Sequence, residues 1–155
     1  MLRRFIVGTV SMIVFTWAFW PAAPTAQSQA APAPPGPIKL ARYPDYHAGK
    51  IAFSYLGDIW TANEDGSNPL RLTDNTAIEA YPRFSPDGSM IAFTGQYEGN
   101  FDVYVVPTAG GVPTRLTWHP STDTVFGFTP DGKSVLFSSG RESFTNRYQQ
   151  LYTVP

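Results

Sequence analysis

The sequence predicts an all-β fold assembled from a repeated unit of four short strands, on three observations. A strand-like core recurs at residues 51–53, 91–93 and 135–137, at spacings of 40 and 44 residues. Turn-forming residues separate the β-prone runs at regular intervals. No long stretch has the 3.6-residue periodicity of an amphipathic helix.

The N-terminal residues 1–30 have the layout of a secretory signal peptide. A short start with two arginines precedes an apolar run over residues 5–20. Ser28 and Ala30 then place small side chains at the −3 and −1 positions of a cleavage site. The run is short for a membrane span, which needs about 20 apolar residues, and an uncleaved anchor is the alternative. We therefore expect export to the periplasm or cell envelope.

Residues 31–39 form a Pro/Ala-rich linker. The fixed φ angles of proline favour an extended, semi-rigid spacer between the export signal and the folded part. A ligand for a proline-binding module is the alternative interpretation of this tract.

The second repeat shows the strands of one unit most clearly. We expect these strands near residues 81–85, 90–94, 101–106 and 113–117. Residues 86–88, Pro-Asp-Gly, predict a hairpin turn, because proline presets φ, aspartate bonds back to the chain and glycine accepts a positive φ. Four-stranded units of about 42 residues are typical of β-propeller blades.

The repeats divide residues 40–155 into a partial β-propeller. We place the blades at about residues 40–74, 75–118 and 119–155, and the third blade lacks a fourth strand. This makes about 2.8 blades, whereas propellers typically have four to eight. We therefore expect an incomplete propeller that is a fragment of a longer polypeptide.

The loops between the second and third strands grow from repeat to repeat. From the core Phe to the first residue of the third strand they span 5, 9 and 13 residues. Length variation at one end of a repeat array is typical of a binding face, and ordinary loop variation is the alternative. We predict that seven loop residues face peptides or protein partners at a rim or channel mouth: Gln96, Tyr97, Glu98, Arg141, Glu142, Asn146 and Arg147.

Composition excludes several classes of function. The chain has no cysteine, which excludes disulfides, thiolate zinc sites and a cysteine nucleophile. Its formal net charge is −1, which argues against a nucleic-acid partner. It carries neither a nucleophile-elbow motif nor a phosphate loop. We predict no catalytic, cofactor-binding or metal-binding residue in this chain.

Several polar residues have a structural interpretation that outweighs a chemical one. We expect turn or packing roles for His47 and His119, and a turn role for the aspartates of the two Pro-Asp-Gly motifs. Residues 63–68 resemble a calcium loop but lack its ligand alternation, so a hairpin explains them better. Asp58 and Asp102 precede the third strand in the same register, which indicates a repeated structural hydrogen bond.

Residues 84–93, Phe-Ser-Pro-Asp-Gly-Ser-Met-Ile-Ala-Phe, resemble the Pro-Asp propeller repeat of TolB-like proteins, prolyl-oligopeptidase relatives and tricorn proteases. The ordered series of motifs over residues 40–155 is most similar to the N-terminal propeller of tricorn protease homologues. The matching segments are residues 43–60, 99–107, 115–120, 127–137 and 139–143.

The resemblance implies a longer parent protein with two propellers, a PDZ-like domain and a serine-peptidase core. In that family the subunits form a hexamer and the propellers act as routes for peptides. The family's catalytic residues lie in later domains, so none is assigned to this chain. The resemblance therefore implies a propeller that guides or gates peptides toward a core absent from this sequence. The alternative is a TolB-like, non-enzymatic propeller that binds envelope proteins.

Overall fold

The computed structural model describes residues 40–143 and 148–155, and it confirms the all-β prediction. These residues form three antiparallel sheets whose strands follow one another in sequence order. The first sheet contains β1 (Arg42–His47), β2 (Lys50–Tyr55), β3 (Asp58–Asn63) and β4 (Leu70–Arg71). The second contains β5 (Glu79–Phe84), β6 (Met90–Gly95), β7 (Asp102–Pro107) and β8 (Thr114–Arg115). The third contains β9 (Asp123–Phe128), β10 (Val135–Ser139) and β11 (Gln150–Val154).

The described ranges contain no helix, and therefore no helix that could cross a membrane. The predicted signal peptide, residues 1–30, and the predicted linker, residues 31–39, lie outside these ranges. Asn146 and Arg147 of the predicted binding loop also lie outside them.

The first strand of each sheet lies at the inner side of the array. β1 contacts β5, and β5 contacts β9, so the three first strands are neighbours although they belong to different sheets. The fourth strands pair only with the third strand of their own sheet. This radial arrangement of sheets is propeller-like.

Two apolar cores hold the sheets face to face. Ala52 and Ile59 of the first sheet pack with Ile91 and Phe93 of the second. Ala92, between those two residues, turns to the opposite face of β6, because successive side chains of a strand alternate. On that face the second core contains Ala92, Val103, Val125, Val135 and Phe137. Both faces of the second sheet are thus covered, which explains the nearly continuous apolar run in β6.

Candidate functional site

A pocket of about 480 Å³ opens where β2 and β6 end and β5 and β9 begin. This is the end of the array that carries the loops between second and third strands. Most of its wall is apolar, and four of its large apolar side chains are more than a third exposed: Leu40, Tyr43, Leu56 and Ile78. Its remaining lining residues are Arg42, Ser54, Gly57, Glu79, Ala80, Tyr81, Phe101, Thr94, Thr122 and Thr124.

Two tyrosines from equivalent β-bulges form one side of this pocket. Tyr43 interrupts the register of β1 and Tyr81 interrupts that of β5, and each is followed by proline. Their φ angles are 53° and 56°, in the left-handed region that is unfavourable for bulky side chains. Their ring centroids lie 4.2 Å apart. The bulges therefore aim both aromatic rings at the pocket at a cost in backbone strain.

Polar groups are few but buried at the pocket wall. The Oγ of Ser54 is buried and has no hydrogen-bond partner among the described residues. The carboxyl of Glu79 is also buried, and this burial raises its pKa to about 7. Thr73 and Tyr97 donate their hydroxyls to that carboxyl, which opposes the rise.

The loop at residues 96–98 lies beside the pocket rather than in its wall. The backbone N–H of Gln96 donates to the carbonyl of Ile78 at 3.0 Å, and the Gln96 side chain donates to the carbonyl of Gly99. The Tyr97 side chain turns inward to Glu79. Glu98 is exposed and pairs with Arg115.

The corresponding loop of the third sheet shows the same inward turn. Arg141 Nη2 donates to Asp123 Oδ2 at 2.8 Å, and its guanidinium lies 4.9 Å from the ring centroids of Phe137 and Tyr152. Glu142 is exposed. None of the five predicted loop residues that the structure describes lines the pocket. A binding role for them stays a prediction, and Tyr97 and Arg141 already make intramolecular contacts.

The repeated aspartates Asp58 and Asp102 make equivalent ion pairs. Asp58 Oδ2 lies 2.9 Å from Arg71 Nη2, and Asp102 Oδ2 lies 2.7 Å from Arg115 Nη2. The repeated structural contact predicted from the sequence is therefore present, with arginine as the partner. A sequence signal for that partner exists, because Arg follows Asp by 13 residues in both repeats.

A threonine completes each of these contacts. Thr73 Oγ1 accepts a hydrogen bond from the Ile59 N–H, and Thr117 Oγ1 accepts one from the Val103 N–H, both at 2.9 Å. The equal spacing of Asp, Arg and Thr in the two repeats thus builds one polar clasp in each of the first two sheets, between the third strand and the segment after it.

The histidines and the turn aspartates have structural roles. The His47 ring packs on Phe84 with centroids 5.7 Å apart, and His119 Nδ1 accepts a hydrogen bond from the Ser121 N–H at 3.1 Å. Hydrogen bonds from Ser85 and Ser89 hold the pKa of Asp87 at about 2.

Asp131 repeats the Asp87 turn with Thr129 and the Lys133 N–H. In the predicted hairpin, Asp65 accepts from the Ser67 N–H and hydroxyl, as expected for a turn. The described residues contain no His/Asp/Glu cluster that could hold a metal ion.

Comparison with known sequences places most of the chain in one family profile. Residues 38–155 match the tricorn protease N-terminal beta propeller domain. The chain is 36% identical over 74 residues to tricorn protease homolog 1 of Streptomyces coelicolor. This alignment covers 48% of this chain and 7% of that protein. The chain is also 35% identical over 71 residues to the Tol-Pal system protein TolB of Desulfosudis oleivorans. This second alignment covers 43% of this chain and 16% of the TolB protein.

Solved structures agree on the fold. The crystal structure of the tricorn protease superposes with a TM-score of 0.65 at 24% identity, over 74% of this chain and 12% of that one. The putative TolB from Agrobacterium tumefaciens superposes with a TM-score of 0.57 at 26% identity, over 68% of this chain and 38% of that one. The chain thus spans less than half of the length of each of these four proteins.

Proposed function

Because this chain belongs to the family of tricorn protease N-terminal β-propeller domains, we propose that it is part of a longer tricorn-like serine peptidase. In this proposal its partial propeller guides peptides toward a catalytic core outside residues 1–155. The remainder of its own polypeptide is then its first partner, and a hexamer is its expected assembly.

The observation that favours a peptide-guiding role is the pocket where β2 and β6 end and β5 and β9 begin. Its volume is about 480 Å³, and its lining includes Leu56 and Ile78, which are 78% and 55% exposed. Exposed apolar side chains in a concave site are typical of ligand and partner sites.

We also propose export, with residues 1–30 as the signal and residues 31–39 as the linker. Cleavage is expected after Ala30. N-terminal sequencing of protein recovered from the periplasm or envelope would test this. An intact N-terminus in the cytoplasm would contradict it.

Peptide binding is tested with labelled peptides of about ten residues rich in apolar side chains. Leu56→Asp and Ile78→Asp are each expected to weaken binding about tenfold or more, because a buried Leu or Ile side chain contributes about 1.5–3 kcal/mol. Fluorescence anisotropy measures the affinity. Val112→Asp is the control, since Val112 is 86% exposed and does not line the pocket. Equal affinities for all three variants and the wild type would contradict the role of the pocket.

A TolB-like protein-binding scaffold is the second candidate, favoured by the match to TolB sequences and structures. The complete reading frame separates the two candidates. A peptidase core in the same frame that reacts with a serine-directed fluorophosphonate supports the first candidate. A frame without such a core, together with binding of a folded envelope protein but not of short peptides, supports the second.

A further inference from the structure

The junction between the first and second sheets contains a buried carboxyl at the meeting point of three segments. Glu79 begins β5 of the second sheet. Its carboxyl accepts hydrogen bonds from Thr73, which follows β4, and from the Ile59 N–H in β3 at 3.3 Å. Tyr97, from the loop after β6, donates its hydroxyl to the other carboxyl oxygen. One side chain therefore ties the first sheet to the second.

The junction between the second and third sheets starts from the same backbone arrangement. Asp123 begins β9 as Glu79 begins β5. The Glu79 N–H donates to the Gly57 carbonyl and the Asp123 N–H donates to the Phe101 carbonyl, both at 2.8 Å. Asp123 is therefore the structural equivalent of Glu79.

Tyr97 and Arg141 are equivalent in the same way. Tyr97 is the third residue after Thr94, which pairs with Ala80 near the start of β5. Arg141 is the third residue after Ser138, which pairs with Thr124 near the start of β9. Tyr97 lies edge-on to a stacked Phe–Tyr pair, and Arg141 lies over another. The first pair is Phe93 and Tyr104, with centroids 5.7 Å apart, and the second is Phe137 and Tyr152, at 5.8 Å.

The two junctions differ in their balance of charge. In the second junction each of the two buried carboxylates has an arginine: Arg115 pairs with Asp102, and Arg141 pairs with Asp123. Arg115 also pairs with Glu98, but the Glu98 side chain is 71% exposed, so solvent screens its charge. In the first junction Arg71 pairs with Asp58, and a tyrosine replaces the arginine that would face Glu79. The first junction therefore holds two acidic side chains and one cation.

The surroundings of Glu79 do not supply the missing cation. Asp58 faces it across the junction and favours its neutral form, and Asp74 adds negative charge beside Asp58. Arg42 lines the same pocket but is exposed, so solvent screens its charge. Burial, with Asp58 as a smaller contributor, raises the pKa of Glu79 to about 7. Burial and the bond to Glu79 in turn raise the pKa of Tyr97, which stays a neutral donor.

We propose that the first junction is a pH-sensitive latch between two sheets of the propeller. The latch is closed while Glu79 carries a proton and loosens when Glu79 becomes charged. The second junction stays closed over the same pH range, because its arginines neutralise both carboxylates. Since Glu79 also lines the pocket, opening of the latch changes the wall of that pocket.

The direction of the pH dependence follows from the shift. The pKa of Glu79 rises from 4.5 to about 7 on folding, so the closed state retains a proton that the open state releases. The stabilisation is fully present below about pH 4.5 and is lost as the pH rises to about 7. One proton changes the opening equilibrium constant by at most about tenfold per pH unit.

Amide hydrogen exchange measured by NMR on the wild-type chain tests the proposal with an internal control. The Ile59 and Val103 amides both donate to a threonine Oγ1 at 2.9 Å, one at each junction. After correction for intrinsic exchange rates, protection of Ile59 is expected to fall at least tenfold relative to Val103 between pH 5 and pH 8. Parallel pH dependence of the two amides would overturn the proposal.

Three variants locate the effect. Glu79→Gln replaces the carboxyl with an amide that does not titrate. Tyr97→Arg supplies the cation that Arg141 supplies in the third sheet. Each variant is expected to make the ratio of the Ile59 and Val103 protection factors independent of pH. Arg141→Tyr is expected to create a pH dependence at Val103. If Glu79→Gln, which keeps both histidines, retains the wild-type pH dependence of Ile59 protection, another group causes that dependence and the latch proposal is overturned. If a variant does not fold, the wild-type comparison still decides.

Discussion

Gly88 lies in the turn between β5 and β6, against the ring of His47 from the first sheet. Its φ is 72°, and a Cβ added there would lie 2.5 Å from His47 Cδ2. Gly132 holds the equivalent turn position between β9 and β10, with a φ of 71°. The nearest atom to its added Cβ would be Pro86 Cδ at 3.6 Å, an ordinary contact. The two glycines therefore share one backbone requirement and differ in one side-chain contact.

Gly88→Ala is expected to destabilise the chain more than Gly132→Ala. Both substitutions place alanine in the left-handed region at a cost of about 1–2 kcal/mol. Gly88→Ala also forces the His47 ring to move, which adds about 1 kcal/mol or more. Urea denaturation followed by tryptophan fluorescence measures the free energy of unfolding. In a His47→Ala background the extra loss should disappear. Equal losses for the two substitutions in the wild-type background would contradict this explanation.

Single residues differ in how far the sequence predicts their role. The turn role of Asp87 follows from its immediate neighbours, so local sequence suffices to predict it. The role of Glu79 does not follow, because its partner Tyr97 comes from a loop whose length differs between repeats. Their equivalents in the third sheet, Asp123 and Arg141, are different residue types, so the repeat does not reveal the contact and only the folded structure shows it. The pocket has the same origin, since its wall combines residues from three sheets.

The polar clasp of the second sheet connects β7, β8 and the loop before β7 through Arg115. This arginine pairs with two carboxylates in different surroundings. Asp102 is completely buried, whereas Glu98 is 71% exposed at its side chain. Burial raises the pKa of Asp102, and the neighbouring Arg115 opposes that rise.

Asp102→Asn is expected to cost about 3 kcal/mol of unfolding free energy, because it breaks a buried ion pair. Glu98→Gln removes the exposed pair of the same arginine and should cost about 0.5 kcal/mol or less. Chemical denaturation of both variants and the wild type measures the difference. Losses of similar size would show that burial of Asp102 does not determine the strength of the clasp.

The positions of whole strands are largely predictable, and their ends are not. In the second repeat the observed β6 and β7 lie within one residue of the predicted runs. β5 starts two residues earlier than predicted, because the bulge at Tyr81 interrupts the alternation that marks a strand. β8 is shorter than predicted: Pro113 has no N–H to donate, and Thr117 accepts the Val103 N–H with its side chain instead of its backbone.

At the scale of the molecule, the third sheet has an exposed outer strand. Within the described residues β11 pairs only with β10. Tyr152 and Val154 turn toward the core shared with the second sheet. Leu151, the residue before Tyr152, is 64% exposed. An exposed strand edge with apolar side chains is a template for association.

The isolated chain is therefore expected to self-associate as its concentration rises. Leu151→Lys should weaken this association about tenfold or more, because a charge on an edge strand opposes pairing with a second copy. Sedimentation velocity over a concentration series measures it. Val112→Lys, at an 86% exposed residue outside any strand, should leave the association unchanged. A wild-type chain that stays monomeric throughout the series would contradict this expectation.

The order of strands within each sheet also has a kinetic consequence. Every pairing in the described residues joins strands that are adjacent along the chain, so each sheet closes only short loops when it forms. The contacts between sheets bridge longer separations and pay a larger loop-closure entropy. We therefore expect the sheets to form first, one after another as the chain is synthesised, and the junctions between them to close last.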